Sequence, residues 1–273
     1  STEQQYDTTA KTFSLTAHLL GCWTTAFILL FTVYGSPFAA YADEISARAA
    51  VVIDSASKKI LYAKNPGLKH PPASTAKLVT AMVALDRINP DYIVTISDNA
   101  ANTQSVSPHL VVGERFSVRE LLYLALMRSV NSAAVAIAEA VACSEDAFVE
   151  MMNEKSALLG AENTRFANSS GLPGSDQYTT AFDLARIMNE SLKYPLIRKI
   201  ISTHEKEIYS ASGRYIFIKN TNQLLWTDGD NIGGKTGYTR EARHCLVSAA
   251  KRGQNTLIVV VLGEPERDNL WKN

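Results

Sequence analysis

Strand-like patterns stand at both ends of this chain, and helix-like patterns fill its middle. Ala49 to Asp54 and Lys59 to Ala63 read as two strands joined by a polar turn. Lys206 to Tyr209, Tyr215 to Lys219, Ile232 to Thr239, His244 to Ala250 and Thr256 to Leu262 read as later strands. Arg252-Gly253-Gln254-Asn255 is the hairpin turn between the last two. Apolar residues at helical spacing begin near Ser74 and end at Asn89-Pro90, and recur after Ser117, from Ala133 to Val141, from Glu145 to Leu159 and from Thr180 to Leu192. Ser117 with Glu120 has the spacing of a capping box. This order predicts an α/β (α+β) fold. One antiparallel sheet is built from both chain ends and flanked by helices, and an all-helical lobe lies beside it.

Composition narrows the function. Lys+Arg 27 balances Asp+Glu 27 in 273 residues, and no basic block is present. Nucleic acid is therefore not an expected partner. The five His are scattered and form no Cys/His cluster, so no metal and no other cofactor is expected. Thr12 to Ala42 contains no Asp, Glu, Lys or Arg, and Ala40-Tyr41-Ala42 offers small residues at −3 and −1. Residues 1–42 are expected to be a signal peptide cut before Asp43, or else an uncleaved N-terminal membrane anchor. The chain then acts in the periplasm or at the extracytoplasmic face of the envelope. Residues 43–273 are expected to form a single domain. Cys143 and Cys245 are expected to be buried free thiols, with pairing left open.

Ser74 and Lys77 stand three residues apart where a turn enters the apolar pattern Leu78, Val79, Met82, Val83, Leu85. In a helix these two positions share a face. A hydroxyl is thereby held beside an amine, next to unpaired N–H groups that favour developing negative charge. Ser-x-x-Lys is a weak signal by itself, with on the order of one chance match in a chain this long. Ser55 to Lys58 falls in a hairpin turn and Ser248 to Lys251 on a strand, and both read as surface residues. Two further elements raise the specificity of Ser74. Ser129-Val130-Asn131 lies at a break between helices, and Lys235-Thr236-Gly237 lies on a late strand. Ser-x-x-Lys, Ser-x-Asn and Lys-Thr-Gly in that order are the signature of penicillin-binding proteins and serine β-lactamases. Ser97-Asp98-Asn99 spells the middle motif literally, but lies in a strand-to-loop segment and reads as a polar cap or turn.

Pro-Ala-Ser-Thr-Ala-Lys-Leu, Ser-Val-Asn-Ser-Ala-Ala, Gly-Leu-Pro before Tyr-Thr-Thr-Ala-Phe-Asp-Leu-Ala, and Lys-Thr-Gly-Tyr-Thr together resemble the serine-type D-alanyl-D-alanine carboxypeptidases, the low-molecular-mass penicillin-binding proteins. The resemblance runs from about Ala49 to Asp268. It implies a β-lactamase/transpeptidase-like fold with the active site between sheet and helical lobe. It also implies removal of the terminal D-alanine from peptidoglycan stem peptides ending in D-Ala-D-Ala, with β-lactams as covalent inhibitors. In the implied roles Ser74 forms the acyl-enzyme, Lys77 takes its proton and Ser129 relays it to the leaving nitrogen. Asn131 holds the substrate amide and orients Lys77, while Lys235 and Thr236 bind the terminal carboxylate. Gly237 leaves room for substrate backbone, and the N–H groups of Ser74 and Tyr238 form the oxyanion hole. Tyr238 stands where many relatives carry His. The alternatives are cleavage of D-alanyl cross-links by the same chemistry, and a non-catalytic penicillin-binding sensor. A class A β-lactamase would need a Glu for the deacylating water, and residues 168–180 contain only Asp176 as an acid.

Overall fold

The computed structural model describes residues 45–272. The expected signal peptide or anchor, residues 1–42, lies outside the described residues. Five strands form the main antiparallel sheet: β1 (Ala49–Asp54), β2 (Ile60–Lys64), and β7 (Asn231–Thr239), β8 (Arg243–Arg252) and β9 (Asn255–Glu264), in the order β2-β1-β9-β8-β7. Val51 pairs with Val260 and Val247 with Val260, so β9 joins the two ends of the chain. Their continuous runs of buried residues mark β1, β8 and β9 as covered on both faces.

The helical part begins with a 3₁₀ turn, Ala73–Ala76, that runs directly into α1 (Lys77–Arg87). Every residue of α1 from Lys77 to Ala84 is buried, as expected of a helix enclosed on all sides. Around it pack α3 (Val118–Met127), α4 (Asn131–Ala142), α5 (Glu145–Leu158) and α6 (Ala181–Ser191), the last of which also lies on β1, β8 and β9. The alanines of α4 allow close helix approach, and Asn131 through Ala138 are all buried. The caps read from the sequence are present: Ser117 and Glu120 form a full capping box, and Thr180 accepts from the Asp183 N–H.

Several expectations need correction. β3 (Ile93–Thr95) and β4 (Arg115–Ser117) make a small pair of their own, and Glu205–Tyr209 (β5) and Tyr215–Lys219 (β6) do not join the main sheet but form a separate hairpin. Strand alternation gives no information about which edge a strand pairs with. Helices Pro195–Ile201 and Leu224–Thr227 were not anticipated; both are too short to show a helical period. Ser97-Asp98-Asn99 opens a short helix, Asp98–Asn102, with Ser97 as its cap. Ser97 and Asn99 also bind the Glu139 carboxylate, so the polar reading holds while the strand-to-loop placement does not. Ser248 is buried rather than at the surface, because its hydroxyl is satisfied by Asn231 Nδ2 and the Gly233 carbonyl. Cys143 and Cys245 are both free, but only Cys245 is buried.

The capping box closes two orphan donors at the start of α3, the helix that leads to Ser129. Ser117→Ala is expected to lower stability by about 1 kcal/mol, read as a lower urea midpoint with an unchanged denaturant slope.

Candidate active site

The 3₁₀ turn presents Ser74, half-buried, while the next turn of helix carries Lys77, whose side chain is fully buried. Lys77 Nζ lies 2.8 Å from Ser74 Oγ, 2.6 Å from Asn131 Oδ1 and 2.6 Å from the Ser170 carbonyl. Asn131 Nδ2 donates to the Gln104 carbonyl at 2.8 Å, which fixes the side-chain amide with its oxygen toward the lysine. Two of the three partners can therefore only accept. A neutral amine has two N–H bonds and one lone pair. With its hydrogens on Asn131 and Ser170, the lone pair faces the Ser74 hydroxyl. Burial, and secondarily the charge of Lys235, holds the Lys77 ammonium well below the ordinary lysine value. None of these partners is a carboxylate.

Lys235 is equally buried. Its Nζ meets Ser129 Oγ at 2.9 Å and the Thr236 carbonyl at 2.7 Å. Burial alone lowers its pKa to about 7. Lys235 thus lies beneath the cleft wall and reaches the cleft through its bond to Ser129, which lines it. Ser129 sits at φ 69° and Ala73 at φ 48°, conformations that non-glycine residues rarely adopt. They flank the nucleophile from the two sides of the site.

Two glycines set how closely the backbones approach. A Cβ on Gly237 would lie 2.9 Å from the Ser74 nitrogen and 2.9 Å from Ala73 Cβ. Gly237 thus lets β7 come close to the Ala73–Ser74 turn, and it also lines the cleft. A Cβ on Gly171 would fall 1.8 Å from the Ala73 carbonyl oxygen, and Gly171 has φ +79°. The Asn168 side chain organises this loop by accepting from the N–H groups of Ser170 and Gly171, and the loop delivers the Ser170 carbonyl to Lys77.

A cleft of about 360 Å³ opens over these groups. Ser74, Ser129, Asn131, Thr236, Gly237 and Tyr238 line it, so six of the eight residues expected from the sequence share one wall or the other. Lys77 and Lys235 lie beneath, each bonded to a lining serine. The sequence reading missed Ser170 and Gly171, and also Thr221, whose hydroxyl lies 2.6 Å from that of Thr236. It missed His244 too, whose ring packs on Tyr238 with centroids 4.5 Å apart, and Arg128 and Arg267 on the cleft wall. Asp176, the acid of the 168–180 loop, is exposed and bonds to none of the site groups described above. Among the described residues no group of His, Cys, Asp and Glu is arranged to hold a metal ion.

Comparison with known proteins follows the same line. The D-alanyl-D-alanine carboxypeptidase family matches residues 36–266. The chain is 36% identical over 222 residues to the D-alanyl-D-alanine carboxypeptidase DacF of Bacillus subtilis, covering 80% of this chain and 57% of DacF. It is 38% identical over 224 residues to a D-alanyl-D-alanine endopeptidase of Pseudomonas aeruginosa, covering 81% and 72%. A solved D-alanyl-D-alanine carboxypeptidase of Mycobacterium tuberculosis superposes with a TM-score of 0.78 at 31% identity, over 82% of this chain and 85% of that one.

Between about pH 7 and the unfolded lysine value near 10.5, Lys235 holds its proton in the unfolded chain and has lost it in the folded one. Unfolding then binds protons, so stability rises with pH across this window. Urea unfolding at pH 7 and pH 10 should show that rise in the wild type and a flatter one in Lys235→Met, which cannot titrate.

The three motifs, their meeting at one cleft and the extent of the match establish that the chain belongs to the D-alanyl-D-alanine carboxypeptidase family of serine peptidases.

Proposed function

We propose that this protein is a serine-type D-alanyl-D-alanine carboxypeptidase that removes the terminal D-alanine from peptidoglycan stem peptides. The observation that carries the reading is Lys77 Nζ, 2.8 Å from Ser74 Oγ with its other two contacts on obligate acceptors. A neutral amine so placed has its lone pair available only to the serine proton.

Ser74 Oγ attacks the carbonyl carbon of the penultimate D-alanine while its proton passes to Lys77. The tetrahedral oxygen is stabilised by the N–H groups of Ser74 and Tyr238, the latter on β7, the outer strand of the sheet. The C–N bond then breaks. The proton returns from Lys77 to the leaving nitrogen through Ser129, whose hydroxyl is oriented by Lys235. D-Alanine departs as an amine and water hydrolyses the Ser74 ester, with Lys77 again taking a proton. Asn131 keeps Lys77 in place and offers its amide to the substrate. The terminal carboxylate sits at the Thr236 hydroxyl, with Arg267, which also lines the cleft, supplying charge. Lys235 contributes to that field from beneath.

The same chemistry acting on a D-alanyl cross-link is the second reading, favoured by the open cleft and by similarity to an endopeptidase. A penicillin sensor is disfavoured, because the buried amine and the Ser129–Lys235 relay are arranged for proton transfer rather than for binding alone. β-Lactams are expected covalent inhibitors of Ser74. The activity belongs at the extracytoplasmic face of the envelope, where stem peptides are found.

Incubation with diacetyl-Lys-D-Ala-D-Ala should release D-alanine, and Ser74→Ala should lower that release by at least about 10³-fold, in the range of losses seen for catalytic nucleophiles. Covalent penicillin labelling without any D-alanine release would defeat the carboxypeptidase reading. Lys77→Arg keeps a cation that cannot lose its proton. Stopped-flow acylation by a chromogenic β-lactam should fall by on the order of 10³-fold in this variant, with the wild-type rate declining as pH is lowered through the lysine titration. Penicillin should add one acyl group per chain and leave slowly, because none of the groups bonded to Ser74 or Lys77 is a carboxylate that could activate water.

A further inference from the structure

The proton-transfer chemistry leaves one cationic side chain of the cleft without a use. Arg128 stands immediately before Ser129 and lines the cleft, half-buried. Its Nε donates to the Ser107 carbonyl at 3.0 Å. That bond fixes the guanidinium plane, and its two terminal amino groups have no protein partner among the described residues. Its position along the cleft is also fixed. The Thr221 N–H donates to the Met127 carbonyl at 3.0 Å, and the Thr221 hydroxyl meets that of Thr236 at 2.6 Å. The residue after Met127 is thus held at the Thr221–Thr236 end, where the leaving group lies. Arg267 comes from elsewhere, beside the His244 ring that packs on Tyr238, and its charge bears on that imidazole.

Among the described residues no Asp or Glu lines the cleft. A half-buried guanidinium with its fork free and no acid nearby is a receptor for a carboxylate. A departing D-alanine brings one carboxylate, which Thr236 and Arg267 already accommodate. Two arginines that reach the cleft from different elements, Arg128 from the end of α3 and Arg267 from the C-terminal turn, match a leaving group with at least two carboxylates. The second stem of a D-alanyl cross-link has this character where its diamino acid carries a carboxylate beside the reacting amine. That group takes the place of the D-alanine carboxylate, and a further carboxylate along the stem remains to be bound.

Resting on the function proposed above, we infer that Arg128 is a specificity-determining residue that docks a second carboxylate of a cross-linked stem peptide and so biases the enzyme toward cross-link cleavage. The bonds made and broken are those of the carboxypeptidase reaction: Ser74 is acylated, the stem amine leaves with the relayed proton, and water restores the serine.

The test compares three purified substrates: a monomeric pentapeptide, a cross-linked dimer with free carboxylates, and the same dimer with the leaving-stem carboxylates amidated. In Arg128→Gln the ratio of kcat/KM for the free dimer to that for the pentapeptide should fall at least 10-fold. Arg128→Lys, which keeps the charge but not the fork, should fall between. Amidation should produce a similar drop in the wild type and no additional drop in Arg128→Gln. Equal losses on dimer and pentapeptide, or a loss that persists on the amidated dimer, would assign Arg128 a general structural role and overturn the inference. A wild type that cleaves the pentapeptide but not the dimer sinks the inference alone. A wild type that cleaves neither substrate, yet is still labelled by penicillin, sinks the carboxypeptidase reading and the inference with it.

Discussion

One buried amine holds the site together. Lys77 Nζ gathers an oxygen from its own turn, one from the start of α4 and one from the loop after α5, positions 54 and 93 residues away in the chain. A buried ammonium without a carboxylate is strongly disfavoured, and burial pushes Lys77 toward the neutral form. The fold thereby turns a desolvation cost into the property a general base needs. Removing either acceptor would do more than loosen a side chain: it would free an N–H and let the lone pair turn away from Ser74. Position and protonation state depend on the same three contacts.

The backbone around Ser74 is equally constrained. Gly171 presses on the Ala73 carbonyl from one side, and Gly237 presses on the Ser74 nitrogen from the other. Ala73 itself is left-handed between them. The nucleophile is therefore clamped between the loop and strand β7 rather than merely displayed at a helix end. In the proposed mechanism this close approach of β7 to the Ser74 turn is what lets the Ser74 and Tyr238 N–H groups serve one oxyanion. Gly237 in Lys-Thr-Gly serves that approach first, and any substrate backbone second.

The outline of this machine was legible in the sequence, because it is written in residue types. Ser-x-x-Lys at a helix start, Ser-x-Asn at a helix break and Lys-Thr-Gly on a strand each need particular side chains at particular spacings. The sheet built from both chain ends was legible from period-2 alternation, and the Ser117–Glu120 box from its spacing. What escaped has no such signature. Ser170 acts through a backbone carbonyl, which any residue carries, inside a loop with no periodicity. Gly171 stood in a visible Gly-Leu-Pro segment, but what its missing Cβ avoids is set by a turn almost a hundred residues earlier. The β5–β6 hairpin alternates like any strand pair, and only packing decides that it stays apart. Arg128 follows an apolar helix and looks like a solvated helix end until Ser107 and Thr221 fix its place. Lys235 is singled out by the Lys-Thr-Gly motif, but its full burial and its bond to Ser129 come from packing, which a strand pattern does not show.

On the proposed mechanism, the two buried lysines also account for a peptide being turned over where a β-lactam would stay attached. Burial is the larger cause of the Lys77 shift, ahead of the Lys235 charge, and the sole cause of the Lys235 shift. Proton traffic therefore runs between two near-neutral amines through Ser74, the substrate nitrogen and Ser129, without a carboxylate to bind and activate a separate water. With a peptide, the leaving amine takes its proton and diffuses out. That clears the space in front of the ester, and Lys77 can then serve an incoming water. With a β-lactam, the cleaved C–N bond belongs to a ring, so the amine stays tethered over Ser129 and the water position stays filled. An active site whose only base is Lys77 depends on the departure of its leaving group. On the proposed reading, the two arginines that line the cleft bear both on which substrate binds and on how readily the site empties for the second half of the reaction.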